Sequence, residues 1–200
     1  MTANQKGIAL GVLAMAVVVT ASNILVRYPV GDFLTYGAFT YPFAFLVTDL
    51  TNRLLGPQAA RRVVLAGFAT GVVLSLWLAV PRIAIASGVA FLVAQMLDVA
   101  VFNRLRDGAW WRAPLVSSVF GGALDTAIFF TLAFSASFVF MGPNEDWATG
   151  LVPLLGFGAL APFWVSLAIG DFIVKMLIAI LALIPFKTLA QALSPASQQN

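Results

Sequence analysis

The chain has 200 residues, of which 61% are hydrophobic and only 10% are charged, against about 45–50% and about 25% in ordinary soluble domains. This composition excludes a soluble fold and leaves several uncharged stretches near the roughly 20 residues that cross a bilayer. The sequence has no Cys and no His, which excludes disulfides, thiol chemistry, His-ligated metals and imidazole catalysis. We therefore expect neither a metal nor a cofactor.

The apolar stretches predict an all-α, polytopic membrane protein with six transmembrane helices in one domain, 1–200. The first stretch, 7–26, is longer than the apolar core of about 7–15 residues in a signal peptide, and it lacks a small-residue cleavage site. Proline and glycine mark several of the other ends, because proline cannot continue a helical hydrogen-bond ladder. The remaining spans are predicted at 33–55, 63–80, 83–103, 114–139 and 162–185.

The segment between the last two spans, 140–161, is predicted to be an outer loop. Its apolar part, 151–160, is too short to cross a bilayer, so we expect an interfacial or re-entrant piece. A seventh span over 151–169 is the alternative.

The basic residues predict the orientation, because short cytoplasmic loops carry the excess of Lys and Arg. When the basic residues are assigned to the two sides of the six-span arrangement, one side holds eight of them and the other holds only Arg27 and Arg82. Lys175 lies within the last span. Both termini are thus expected in the cytoplasm. The basic residues sit at separate helix ends and form no single groove, which argues against nucleic acid as a partner. The eight on the cytoplasmic side are Lys6, Arg53, Arg61, Arg62, Arg104, Arg106, Arg112 and Lys187.

Ionisable side chains within the predicted spans are the candidate functional residues. A charge at mid-bilayer costs about 2.5–3.5 kcal/mol on insertion scales, so it usually faces a bundle interior or an aqueous cavity. Asp171 and Lys175 share a helix face through their i,i+4 spacing, and Asp125, which has no cation within its own helix, needs Lys175, a ligand or a proton. The polar residues singled out on these grounds are Asp49, Gln95, Asp98, Asp125, Asp171 and Lys175.

Structural explanations compete with function at several of these positions. Asp49 has an i,i+4 partner in Arg53, with which it can form an ion pair near the cytoplasmic boundary. Asp98 shares a face with Gln95 and is close enough to the helix end to anchor Arg104. Near the outer end of the first span, Asn23 is at a position where a polar residue is often only interfacial. Paired small residues, such as those at 67 and 71, favour close helix packing over chemistry.

Two kinds of enzyme are disfavoured by their motifs. No phosphate-binding loop of the G-x-x-x-x-G-K-[ST] kind is present, so the chain does not hydrolyse ATP itself. Intramembrane aspartyl proteases carry a motif resembling Gly-x-Gly-Asp, whereas here Ala168 occupies the place of the first glycine before Asp171. The polar residues within the predicted spans, which are several carboxylates and one amine, are better suited to binding a small, flat, polar ligand.

Five blocks of sequence resemble the bacterial queuosine-precursor transporters of the vitamin uptake transporter family. They occur in order and cover most of the chain except the termini and the 140–161 loop. The blocks are Ser22–Val26, TYGAFTYPFAFLVTDLTNRLLGPQAARR from Thr35, AQMLDVAVFNRLR from Ala94, WWRAPLVSSVFGGALDTAIFF from Trp110 and GDFIVKMLIAI from Gly170.

The resemblance implies a multi-pass inner-membrane importer of 7-deazaguanine compounds, such as the cyano and aminomethyl precursors preQ0 and preQ1, or queuine, for tRNA queuosine salvage. It also implies a bundle distantly similar to the substrate-binding S-components of energy-coupling-factor transporters. A subunit that needs a separate ATPase, an aspartate-based membrane enzyme and an ion pathway are the alternatives. The lipid bilayer and the 7-deazapurine are the expected partners, and a homodimer is left open.

A guanine-like edge offers N–H donors to a carboxylate and an oxygen acceptor to an amine or amide. Asp125 or Asp171 can supply the carboxylate, and Lys175 or Gln95 the donor. A second carboxylate for a precursor ammonium is available in Asp49 or Asp98, and Asn23 is a further polar candidate. Aromatic rings can stack on the base, although packing is the commoner role for aromatics in such helices. The candidate stacking rings are Phe39, Tyr41 and Phe129.

Overall fold

The computed structural model describes residues 2–25, 28–30, 34–143 and 146–193. Within them the chain forms mainly helices, joined by short connections and two small hairpins. The helices are α1 (Ala3–Leu25), α2 (Tyr36–Thr40), α3 (Phe43–Leu55), α4 (Pro57–Leu78), α5 (Pro81–Leu105), α6 (Arg112–Phe134), α7 (Asp146–Thr149) and α8 (Phe163–Ala192). The strands are β1 (Pro29–Val30) and β2 (Leu34–Thr35), which pair with each other, and β3 (Leu151–Pro153) and β4 (Leu160–Pro162).

Four helices in the described part are long and apolar enough to cross a membrane: α1, α5, α6 and α8. Many of their apolar side chains point outwards, including Leu177, Leu181 and Ile184 on α8, which are more than half exposed. Such a surface needs an apolar solvent. The protein is therefore an all-α, multi-pass membrane protein, as the composition predicts.

Proline and glycine place the helix boundaries where the sequence allows few alternatives. Gly56 alone separates α3 from α4 and has a φ of 86°, a left-handed conformation that favours glycine. Pro57 and Pro81 open α4 and α5, where the missing proline N–H costs nothing. At Tyr41–Pro42 the chain turns between α2 and α3.

Several predicted bounds are wrong for the same local reasons. The predicted span 33–55 is not one helix, because Pro42 separates α2 from α3. In the predicted span 114–139 the α-helix ends at Phe134, and a 3₁₀ segment covers Ala136–Met141. By contrast, α8 continues through Pro185 to Ala192, and α4 begins before residue 63.

The segment 151–160 forms an antiparallel hairpin of β3 and β4 around a short 3₁₀ turn, Leu154–Gly156. The alternative of a helical seventh span over 151–169 is therefore wrong, since α8 starts only at Phe163.

The bundle is held by a few long helix pairs. α5 packs along α6, α1 along α4, and α6 along α8, while α3 contacts α1, α4, α5 and α8. A Cβ added at Gly67 of α4 would lie 2.5 Å from Met15 of α1. The predicted role of this small residue in close helix packing is confirmed.

Candidate functional site

Three charged side chains meet in the interior of the bundle. The Lys175 ammonium on α8 donates to Asp125 Oδ2 on α6 at 2.6 Å and to Asp171 Oδ2 on its own helix at 2.5 Å. Lys175 and Asp125 are each only 4% exposed. The predicted i,i+4 contact of Lys175 with Asp171 is confirmed, and of the partners left open for Asp125 the structure shows Lys175.

Local sequence explains how these groups reach one another. Asp171 and Lys175 are one helical turn apart, so they lie on the same face of α8. On the facing surface of α6, Gly122 has no side chain, and a Cβ there would lie 3.1 Å from Met176 and 3.8 Å from Lys175. The glycine allows α8 to approach α6 closely enough for the ammonium to reach Asp125.

Two further side chains complete this group, which we call the lysine cluster: Tyr41, Asp125, Thr126, Asp171 and Lys175. The Tyr41 hydroxyl donates to Asp125 Oδ1 at 3.0 Å, and its ring centroid lies 5.6 Å from the ammonium. Thr126 donates to Asp171 Oδ2 at 2.7 Å and accepts from Lys175 at 3.0 Å. The sequence prediction missed Thr126, although its position next to Asp125 was a usable signal.

The lysine cluster satisfies its own hydrogen bonds in this conformation. The three protons of the ammonium go to Asp125, Thr126 and Asp171. Two carboxylates face one ammonium, so one negative charge remains unbalanced if both are ionised. Such a group suits a ligand that brings several N–H donors and can take over the contacts of the lysine.

A second polar group consists of Asp49 on α3 and Asp98 on α5, and we call these two residues the carboxyl pair. Ser117 of α6 donates to Asp49 Oδ1 at 3.2 Å, and the carboxyl groups of Asp49 and Asp98 are within hydrogen-bonding contact of each other. Asp49 is 2% exposed and Asp98 is fully buried. Next to the pair, Gln95 accepts a 2.6 Å hydrogen bond from Thr48.

Neither of the two expected pairs, Asp49 with Arg53 and Asp98 with Arg104, is found among the described residues. Arg53 donates to the carbonyl of Arg106 at 2.7 Å and is not found within ion-pair distance of Asp49 among the described residues. Asp98 faces Asp49 rather than anchoring Arg104, which is exposed. The sequence could not predict the carboxyl pair, because its members come from helices far apart in the chain.

A narrow cleft between α3, α6 and α8 is lined by one member of each polar group, Asp49 and Lys175. Asp49, Ser118, Gly122 and Lys175 are among the residues that line it. Its unfilled volume is about 20 Å³, which accommodates roughly one water molecule and no purine. A ligand of that size would fit only if the helices around the cleft separate.

The remaining predicted residues lie away from the lysine cluster. Asn23 donates to the carbonyl of Val19 at 2.8 Å and lines a second small cleft, one wall of which is Tyr41. Phe39 is exposed on α2. Phe129 packs edge-on against Phe130 and Phe134 in a separate aromatic cluster. Of the three predicted stacking rings, the structure brings only Tyr41 to the charged groups.

Arg82 at the start of α5 has a structural role, whereas the sequence predicted only that it lies on the side with few basic residues. Its guanidinium donates to the carbonyls of Leu132, Ser135, Gly142 and Pro143 at 2.6–3.2 Å. These bonds hold the end of α6 and the segment that follows it. The side chain is only 4% exposed.

Comparison with known proteins decides the family. The family of putative vitamin uptake transporters matches this chain over residues 35–80 and 75–190. The queuosine precursor transporter of Escherichia coli K12 is 37% identical over 192 residues, which cover 84% of this chain and 79% of the relative. The chain belongs to the family of putative vitamin uptake transporters.

Two further relatives match a similar share of this chain at lower identity. The probable queuosine precursor transporter of Haemophilus influenzae is 32% identical over 84% of this chain and 79% of the relative. A protein of the same description from Bacillus subtilis is 25% identical over 83% of this chain and 75% of the relative. No solved structure matches the chain. The family is one of transporters, so the chain is not an enzyme.

Proposed function

We propose that this chain is a multi-pass carrier of the bacterial inner membrane that imports 7-deazaguanine queuosine precursors, such as preQ0, preQ1 or queuine. The observation that carries the proposal is the lysine cluster, a buried set of carboxylates and one amine at the middle of α6 and α8. The queuosine precursor transporters to which the chain is similar support the substrate class.

The proposed topology has six membrane crossings, with α2 and α3 together making one of them and both termini in the cytoplasm. The ends of α3 and α5 support it, because Arg53 and Arg106 each donate to the backbone carbonyl of the other. Lys187 near the end of α8 lies 5.0 Å from the ring of Trp110, so these basic ends share one side of the bundle. A concentration of basic residues on one side is typical of the cytoplasmic face.

The lysine cluster can recognise the Watson–Crick edge of a 7-deazaguanine. Its ring N–H and amino group would donate to Asp125 or Asp171, and its oxygen would accept from Lys175. Tyr41 offers an aromatic face beside these groups. Because the ammonium already uses all three protons, the base must displace part of this network as the helices separate.

The decisive experiment is uptake by the purified chain in liposomes that contain no other protein. Labelled preQ1 should enter, and guanine, which presents the same Watson–Crick edge, should compete with it. The variants D125N, D171N and K175M should each reduce uptake to the level of empty liposomes, while D107N, which changes an exposed carboxylate in the α5–α6 connection, should transport normally. Normal uptake in all three cluster variants would refute the site.

The same preparation separates a carrier from a binding subunit of a larger transporter. Uptake without any ATPase supports the carrier. Binding of preQ1 without uptake, restored only when an ATPase module is added, would refute it.

A further inference from the structure

The carboxyl pair lacks the partners that two buried anions need. Both carboxyl groups are removed from solvent, and neither is in an ion pair among the described residues. Ionising both of two buried carboxyl groups in contact is unfavourable, because the charges repel each other and lack water. A nearby cation, hydrogen-bond donors or a bound proton would each stabilise the pair.

The hydrogen bonds around the pair favour the proton. Ser117 has one hydroxyl hydrogen, for which Asp49 Oδ1 at 3.2 Å and the carbonyl of Pro114 at 3.4 Å are both acceptors. Both oxygens of Asp98 therefore have no protein donor when the two groups are ionised. One proton shared between Asp49 and Asp98 gives Asp98 a partner and removes the like-charge contact at the same time.

In the described part of the chain, no cation of the surrounding helices forms an ion pair with either carboxyl group. On α3, Arg53 is one helical turn after Asp49, but its NH1 group donates to the backbone carbonyl of Arg106. From α8, Lys175 lines the same cleft but donates to Asp125, Asp171 and Thr126. On α4, Arg61 and Arg62 are exposed, and α6 contributes the Ser117 hydroxyl.

The position of the pair connects it to the lysine cluster and to one end of the bundle. Asp49 is six residues before the end of α3, and Asp98 is seven residues before the end of α5, so each lies about 10 Å from its helix end. These ends carry the basic residues assigned above to the cytoplasmic side. Asp49 and Lys175 line the same narrow cleft.

We propose that Asp49 and Asp98 form a proton-binding site, holding one proton between their two carboxyl groups and releasing it to the cytoplasm in each transport cycle. This inference rests on the proposed function. The proton enters from the outer water when the bundle opens outwards, and it leaves as the cleft opens inwards with the substrate. Import is thereby coupled to the proton gradient.

Infrared spectroscopy of the purified chain tests the proton directly. The wild type should show the C=O stretch of a protonated carboxylic acid at neutral pH, shifted in heavy water. D49N and D98N should each remove this band, whereas D171N in the lysine cluster should retain it. A band that is absent from the wild type, or that survives in both variants, would overturn the site.

Uptake of labelled preQ1 into liposomes tests the coupling. With one proton per substrate, an outside pH one unit lower than the inside should raise the accumulation ratio about tenfold, and D49N and D98N should lose this dependence. Uptake by the wild type that ignores the gradient would overturn the coupling while the proposed function stands. No uptake under either condition would refute the proposed function, and the infrared band would then decide the proton site alone.

Discussion

Replacing Lys175 by methionine tests whether the ammonium compensates the buried charge of Asp125. The substitution keeps an unbranched side chain that is one heavy atom shorter, and it removes the ammonium that donates to Asp125, Thr126 and Asp171. Asp125 then keeps only the hydroxyl of Tyr41. Its carboxylate has a side-chain exposure of 5%, so water cannot replace the lost charge.

The expected loss follows from the geometry. Removing one partner of a buried ion pair costs about 3–5 kcal/mol, because an uncompensated charge stays behind. Asp171 contributes less to this loss, since its side chain is 16% exposed and keeps the hydrogen bond from Thr126. The double variant D125N/K175M removes the stranded charge and should regain about 2 kcal/mol relative to K175M.

The free energy of unfolding can be measured in mixed detergent micelles by titration with SDS, followed by tryptophan fluorescence. The expected order of stability is wild type, then D125N/K175M, then K175M, while neither variant transports. Equal stability of K175M and the wild type would show that Lys175 does not compensate buried charge. A double variant that is less stable than K175M would refute the assignment of the stranded charge to Asp125.

Three other predictions concern packing and the contacts of single side chains. Gly67→Ala should lower the free energy of unfolding by about 1–3 kcal/mol, because the new Cβ would lie 2.5 Å from the side chain of Met15. Gly71→Ala is the control in the same helix, since its Cβ would lie 3.5 Å from Val19, and it should be neutral or stabilising in the same titration. Arg82→Lys keeps the charge but loses the guanidinium fork, so limited proteolysis should cut the segment after α6 faster than in the wild type. Tyr41→Phe removes the hydroxyl that donates to Asp125 and should cost about 0.5–3 kcal/mol, and unchanged stability would show that this hydrogen bond contributes nothing.

The sequence predicted the features that depend on local spacing. The contact of Asp171 with Lys175 follows from one turn of helix. The need of Asp125 for a partner follows from the cost of an isolated charge among apolar residues, and Lys175 was the deep cation available to it. The overall class follows from composition alone, because a chain with so few charges cannot cover its surface with polar groups.

Features that depend on which helices meet were not predictable in the same way. Arg53 had an i,i+4 partner in Asp49, yet it contacts the carbonyl of Arg106, more than 50 residues away. Asp98 lies beside Asp49 because α3, α5 and α6 converge there. A single sequence shows the spacing within each helix but not the packing between helices.

The two polar groups differ in how completely they are satisfied, and this difference separates their proposed roles. The ammonium of Lys175 has an acceptor for each of its protons, so the lysine cluster is stable without a ligand and can exchange its contacts for those of a base. The carboxyl pair has fewer donors than its four oxygens require, with Ser117 as the one hydroxyl donor to Asp49 found in the described chain. This difference supports the proposed roles of substrate recognition at the lysine cluster and proton binding at the carboxyl pair, and Asp49 and Lys175 line one cleft through which the two groups can be coupled.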